Sequence, residues 1–206
     1  MIPVIKNWSI SRSVITGLLI ITGGCASFSS LQTADVVGDG KTSFTVSGNL
    51  IYSLPETDNV YEEGNQLVTQ FMVRRGISDN NEFQAVISPN SLNINFKHLL
   101  SKNDKFLSAF SAGAGYTFLA SSFDDQIHIA DVPVSLYFTY MIHDHFGFTL
   151  NPKIMYRFIG DESTVVFGSS LNLAFGKKIK FYPEGTLFYD AVIGNLFTGG
   201  GFALSF

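Results

Sequence analysis

The stretch FGFTLNPKIMYRF, residues 146–158, decides the fold. One set of alternate positions reads Phe146, Phe148, Leu150, Pro152, Ile154, Tyr156 and Phe158. The other reads Gly147, Thr149, Asn151, Lys153, Met155 and Arg157. Successive side chains of a strand point to opposite faces, so this is a strand with one apolar and one polar face. Residues 164–176 repeat the pattern, with Val165, Phe167, Ser169, Leu171, Leu173 and Phe175 set against Gly168, Ser170, Asn172 and Ala174.

Outward from these strands the period of two runs from Thr42 to Phe206. It predicts ten strands, at about 42–53, 66–77, 82–88, 91–100, 105–120, 127–142, 146–158, 164–176, 179–190 and 195–206. Turn chemistry separates them at Asp79-Asn80-Asn81, Pro89-Asn90, Asn103-Asp104, Asp124-Asp125, Asp144, Gly160-Asp161, Gly176-Lys177 and Gly194-Asn195. The two short strands on either side of Pro89-Asn90 could be a single irregular one, which leaves eight and twelve as alternative counts. No helical periodicity follows residue 30.

Such alternation fits a soluble sandwich with the Phe-rich face inside, or a membrane barrel with that face against lipid. Three features favour the barrel. The strands match the roughly 9–11 residues needed to cross a bilayer tilted. The 54–65 connection is long, whereas the turns near 79, 102, 144 and 177 are short. With strand directions alternating, Phe44, Phe106, Tyr140, Phe146, Phe175, Phe181 and Phe206 fall near one rim, and Tyr52, Phe118, Tyr156, Phe158 and Tyr189 near the other, as two aromatic girdles. The expectation is an all-β, small, closed, antiparallel up-and-down transmembrane barrel over 41–206, closed by pairing of the strand that ends at Phe206 with the strand that begins near Thr42.

Composition agrees. Charged residues make up only 15% of the 206 residues, against about 25% in a typical soluble domain, and there are 20 Phe. A net charge of −4 gives no electrostatic basis for binding nucleic acid. The single Cys cannot form a disulfide within the chain.

Residues 1–24 read as a signal peptide, with Lys6 and Arg12 before an apolar run from Val14 to Ile21. That run is too short to span a membrane as a helix. The following Thr22-Gly23-Gly24-Cys25 resembles the bacterial lipobox, although Thr22 stands where that motif prefers Leu. The resemblance implies acylation at Cys25, with palmitate or a similar chain, and Ala26 in place of Asp implies no retention at the inner membrane. Residues 25–40, rich in Ser, Gly and small polar types, read as a lipid-anchored flexible tether. At the other end, Phe202-x-Leu204-x-Phe206 resembles the C-terminal assembly signal of outer-membrane barrels. The run Cys25-Ala26-Ser27-Phe28-Ser29-Ser30-Leu31-Gln32-Thr33-Ala34 before alternating strands is similar to uncharacterised bacterial outer-membrane β-barrel lipoproteins. These resemblances imply a lipid-anchored location in the bacterial outer membrane. The implied partners are outer-membrane lipid and the barrel-assembly and lipoprotein-sorting machinery.

Residues with reactive chemistry are few. His128 lies near Ser121, Ser122, Asp124 and Asp125 in sequence, but its parity puts it on the apolar face. His143-Asp144-His145 reads as a solvated turn without further metal ligands. No catalytic residue, metal site or cofactor is expected. The polar face carries Arg74, Lys97, Asp131, Lys153, Arg157 and Glu184 as lumen-lining charges, which must be paired in a narrow interior. Ten strands about 4.8 Å apart and tilted about 40° give a backbone radius on the order of 10 Å, so side chains fill most of the lumen. The acidic loop Leu54–Gly64 is the best candidate for contact with a partner or a cation. The leading functional expectation is a structural or surface-binding barrel without catalysis. A narrow passive channel for ions or small solutes, and a lipid-modifying enzyme, are the alternatives.

Overall fold

The computed structural model describes residues 31–54, 65–120, 126–192 and 194–206. Ten strands occupy these segments: β1 (Thr42–Leu54), β2 (Asn65–Ser78), β3 (Asn81–Ser88), β4 (Ser91–Lys102), β5 (Phe106–Ala120), β6 (Gln126–His143), β7 (Phe146–Ile159), β8 (Glu162–Phe175), β9 (Lys180–Asp190) and β10 (Leu196–Ser205). Each pairs antiparallel with its sequence neighbour, and β1 pairs with β10, so the sheet closes into a barrel. The closing register sets Thr45 opposite Ser205, and Phe44 and Phe206 exchange backbone hydrogen bonds of 3.1 and 2.8 Å. β3 and β4 are separate strands, joined through Pro89-Asn90. Because connections alternate ends, Thr42, Phe206 and the turns around residues 79, 104, 144 and 177 share one rim, here the near rim. The other turns form the far rim.

The face that sequence alternation marks as apolar points outward. Phe71, Phe83, Ile94, Leu150, Ile154, Leu171 and Leu187 are all exposed around the barrel's middle. Arg75 is the one Lys or Arg at an outward strand position among the described residues. It lies next to the near rim and donates to Thr42 Oγ1. Rings crowd that rim: Phe146 stacks on Phe175 at 4.9 Å, Phe181 lies 6.5 Å from Phe175 and 6.4 Å from Phe202, and Tyr140 lies 5.8 Å from Phe148. At the far rim Phe167 meets Tyr189 edge-on at 5.6 Å.

Three strand prolines sit where the ladder lapses. A proline lacks the N–H that a ladder needs. Opposite Pro133 the β5–β6 register breaks between the pairs Ala112–Val134 and Gly115–Asp131. Opposite Pro152 the β6–β7 register breaks between Ser135–Lys153 and Phe138–Leu150, and there the Asn151 side chain donates to the otherwise open Leu136 carbonyl. Opposite Pro183 the β8–β9 register breaks between Asn172–Glu184 and Phe175–Phe181.

The inward face is polar and buried. Ser170 is 1% exposed, with Asn172 and Asn151 beside it. A large ring at position 170 therefore has no room. Ser170→Trp should cost about 1–3 kcal/mol by overpacking, and Leu171→Lys, on the opposite face, about 2–4 kcal/mol when that face meets hydrocarbon. Urea unfolding of micelle-bound protein measures both. A Ser170→Trp variant as stable as the parent would contradict the inward placement.

Candidate functional site

The site is the lumen, and the chain itself fills its near half. Residues 31–37 enter the barrel rather than standing outside it as a tether: Leu31, Gln32, Thr33 and Ala34 are buried. This corrects that part of the tether reading for residues 25–40. The physical reason is volume. Ten strands enclose a space that the inward side chains of the near half leave partly open, and a polypeptide fills it and supplies partners for their polar ends. Residues 25–30, Cys25 included, lie outside the described residues.

This strap is bonded along its backbone. The amide of Leu31 donates to Glu184 Oε2 at 2.8 Å, that of Ala34 to Thr139 Oγ1 at 2.8 Å, and that of Val37 to Glu82 Oε2 at 2.7 Å. The Gln32 carbonyl accepts from Asn172 Nδ2 at 3.0 Å. Lys97 Nζ donates to the carbonyls of Thr33 and Asp35 at 2.6 and 2.9 Å, and Arg74 Nη2 donates to that of Asp35 at 2.6 Å. Among side chains, Gln32 bonds Gln84 and Tyr137, while Ala34 and Val36 lie against Leu99, Leu107, Ala109 and Tyr137. Leu31 adopts a left-handed backbone (φ 33°), which costs roughly 1–2 kcal/mol outside glycine, and its side chain lodges with Ala174, Tyr182 and Ala203.

The strap leaves past Gly76. A Cβ there would lie 1.8 Å from the Gly38 carbonyl oxygen, so only glycine lets the two backbones pass. Gly40 N then donates to the Gly76 carbonyl at 3.2 Å.

The six lumen-lining charges named from the sequence all point inward and are buried. They fall into two groups. In the near half Arg74 grips Glu82 with two bonds of 2.9 Å, and Lys97 lies 3.7 Å from the same carboxylate. Glu184 serves the Leu31 amide. In the far half Arg157 meets Asp131 at 2.8 and 3.2 Å, and Lys153 lies 5.9 Å from the Phe188 ring centre.

Sequence reasoning missed Glu82, the first residue of the expected strand 82–88, because a charge beside the Asp79-Asn80-Asn81 turn is ordinarily solvated; it is 0% exposed. A signal was present. The six charges comprise four cations and two anions. A sealed interior needs further acceptors, and Glu82 with the strap carbonyls supplies them.

Above the strap the lumen narrows to a cavity of about 40 Å³, lined by Gln32, Ser47, Gln70, Asn93, Ser135 and Lys153. That is room for a water or two. Beyond it, inward Met155, Val166 and Phe188 pack with Ile51 and Phe197 as an apolar cluster across the far half. Phe188 lies over Gly168, where a Cβ would come within 2.6 Å of Phe188 carbons. Asp190, also missed, is buried at the far end and accepts from the Thr164 hydroxyl and the Val192 amide.

The histidines are not brought together. His128 faces outward near the far rim, with Nδ1 2.6 Å from Tyr116 Oη, and Ser121, Ser122, Asp124 and Asp125 lie outside the described residues. His98 Nδ1 meets Asn81 Oδ1 at 2.7 Å. His143 and His145 flank the near-rim turn. Residues 55–64 of the acidic loop lie outside the described residues.

The fold and its filled lumen define a class: a small, closed, antiparallel β-barrel, apolar outside and occupied within. No family model matches the sequence, and no curated protein matches it. Among solved structures the chain is similar to Ail, the attachment invasion locus protein of Yersinia pestis, at 9% identity and a TM-score of 0.39, covering 82% of this chain and 99% of that one. It is also similar to the outer membrane protease OmpT of Escherichia coli at 10% and 0.40, covering 85% and 98%. The toluene transporter TbuX of Ralstonia pickettii gives 8% and 0.37, covering 90% and 96%. The likeness is one of fold alone.

Removing Glu82 should strand two buried cations and one strap amide. Glu82→Ala should cost about 3–5 kcal/mol in urea unfolding. Lys102→Ala, which removes only the exposed pair with Asp35 at 3.1 Å, should cost at most about 1 kcal/mol.

Proposed function

We propose that this protein is a lipid-anchored barrel of the bacterial outer membrane with a structural or surface-binding role, acting without chemical turnover and without passing solutes. The observation that carries the reading is the occupied lumen. Residues 31–37 cross its near half, the Met155–Val166–Phe188 cluster crosses its far half, and about 40 Å³ separates them. A conducting pore needs a continuous wet path, and the strap together with the Met155–Val166–Phe188 cluster supports the reading that this lumen lacks one. The near rim then faces the periplasm and the far rim the exterior, where the acidic loops meet their partner.

Membrane placement is supported by the outward Phe, Leu and Ile face, which would otherwise present a large apolar surface to water. The anchor is supported by the lipobox-like Thr22–Cys25 and by Cys25 being the only thiol.

Two measurements test this. In planar bilayers the purified protein should give no stable ohmic steps; steps whose ion selectivity changes in Arg157→Ala would instead establish the channel. In cells, Cys25→Ser should abolish metabolic labelling with palmitate. Unchanged labelling would refute the anchor.

A further inference from the structure

The strap contacts differ in kind from the rest of the interior. Its amides at 31, 34 and 37 and its carbonyls at 32, 33 and 35 are all read by side chains, and these come from β2, β3, β4, β6, β8 and β9. Backbone hydrogen bonds recognise the path of a peptide whatever its side chains, here a path that bends at Gln32 and Ala34, while pockets set which side chains fit. Here the pockets at 34 and 36 take small and branched apolar groups. This arrangement is what a peptide-binding groove presents, folded round into a tube.

The mouth beside the strap is open and basic. Two cavities of about 380 and 390 Å³ flank Thr33 and Asp35, and Lys41, Lys102, Lys177, Lys178 and Lys180 line them. The strap itself carries Asp35 and Asp39 at this end. An approaching peptide with acidic residues there gains from the same field.

We propose that the near half of the lumen is a binding site for a peptide that follows the strap's bent path, with small apolar residues two apart and acidic residues toward the mouth, and that the chain's own residues 31–37 are its resident, exchangeable ligand. The inference goes beyond the sealed-barrel reading and does not depend on it, since a barrel that conducted would still hold the strap in this way. A second polypeptide of that pattern takes the strap's place by entering at the basic mouth.

The test uses the full chain in detergent micelles and a synthetic peptide of residues 29–40, SSLQTADVVGDG. Hydrogen exchange of the chain's own amides at 31–37 is the readout. Excess peptide should accelerate that exchange saturably, by about tenfold, as the resident segment is displaced. A peptide N-methylated at the residues matching Ala34 and Val37 should have no effect, because it lacks two of the amides that are read. If the strap holds too tightly for exchange, Asp35→Ala in the chain, which removes the resident strap's half of the exposed pair and leaves Lys102 for the peptide, should lower the peptide concentration required. Peptide without effect on both the parent and Asp35→Ala would overturn the proposal. So would equal displacement by the N-methylated peptide. Single-channel silence or activity leaves these readouts unchanged, so failure here is distinct from failure of the sealed-barrel reading.

Discussion

Closure of the ladder between β1 and β10 is the constraint from which the rest follows. A sheet whose outer face is Phe, Leu and Ile offers no water to its backbone there. Every N–H and C=O in that zone must find a partner within the sheet, and an open edge would leave a row of them bare. The bonds between Phe44 and Phe206 at the near rim, and the register from Thr45–Ser205 to Leu54–Leu196, remove that edge. The three prolines show how closely the constraint is observed. Each falls at a lapse in one ladder, and at the lapse beside Pro152 a side-chain amide takes over the orphaned carbonyl.

Closure then creates an interior problem. Ten strands make a tube too wide for short side chains to fill and too narrow to tolerate stray charge. The two halves answer differently. The far half carries an apolar cluster on one wall, with Phe188 laid over Gly168 and Met155 against Val166, beside the self-contained Arg157–Asp131 pair. The near half is lined by residues whose polar ends need partners, and it takes in a length of the chain's own backbone, whose alternating amides and carbonyls supply donors and acceptors in register. Arg74, Glu82 and Lys97 bond to the wall and to the strap at once. The plug and the near-half charges are therefore one network, which explains how these ionisable groups are tolerated where water does not reach, while Arg157 and Asp131 pair separately in the far half.

The outer surface and the interior do different physical work. Outside, the rings of the near rim make a belt from Phe146 through Phe175 and Phe181 to Phe202, with Tyr140 against Phe148 beside it. Inside, specificity is positional. Gly76 must lack a side chain because another backbone passes over it, and Glu82 must be anionic because two cations and an amide converge on it.

The sequence by itself determined the all-β class and which residues share each face, and it favoured ten strands over eight or twelve and closure of the last strand on the first. Period-two alternation and turn residues are local signals, and the pleat converts them directly into inside and outside. It also determined that Arg74, Lys97, Asp131, Lys153, Arg157 and Glu184 share the interior, since parity alone decides that. Only the tertiary structure decided what those charges meet. Arg157 and Asp131 are 26 residues apart and pair because β6 and β7 set them opposite. The strap was illegible for the same reason. Residues 31–37 sit within a stretch rich in Ser, Gly and small polar types, and their apolar Leu31, Ala34, Val36 and Val37 form no strand or helix period that would mark them as buried. Their place is fixed by hydrogen bonds to strands up to 153 residues away, and those partners exist only once the barrel has closed around them.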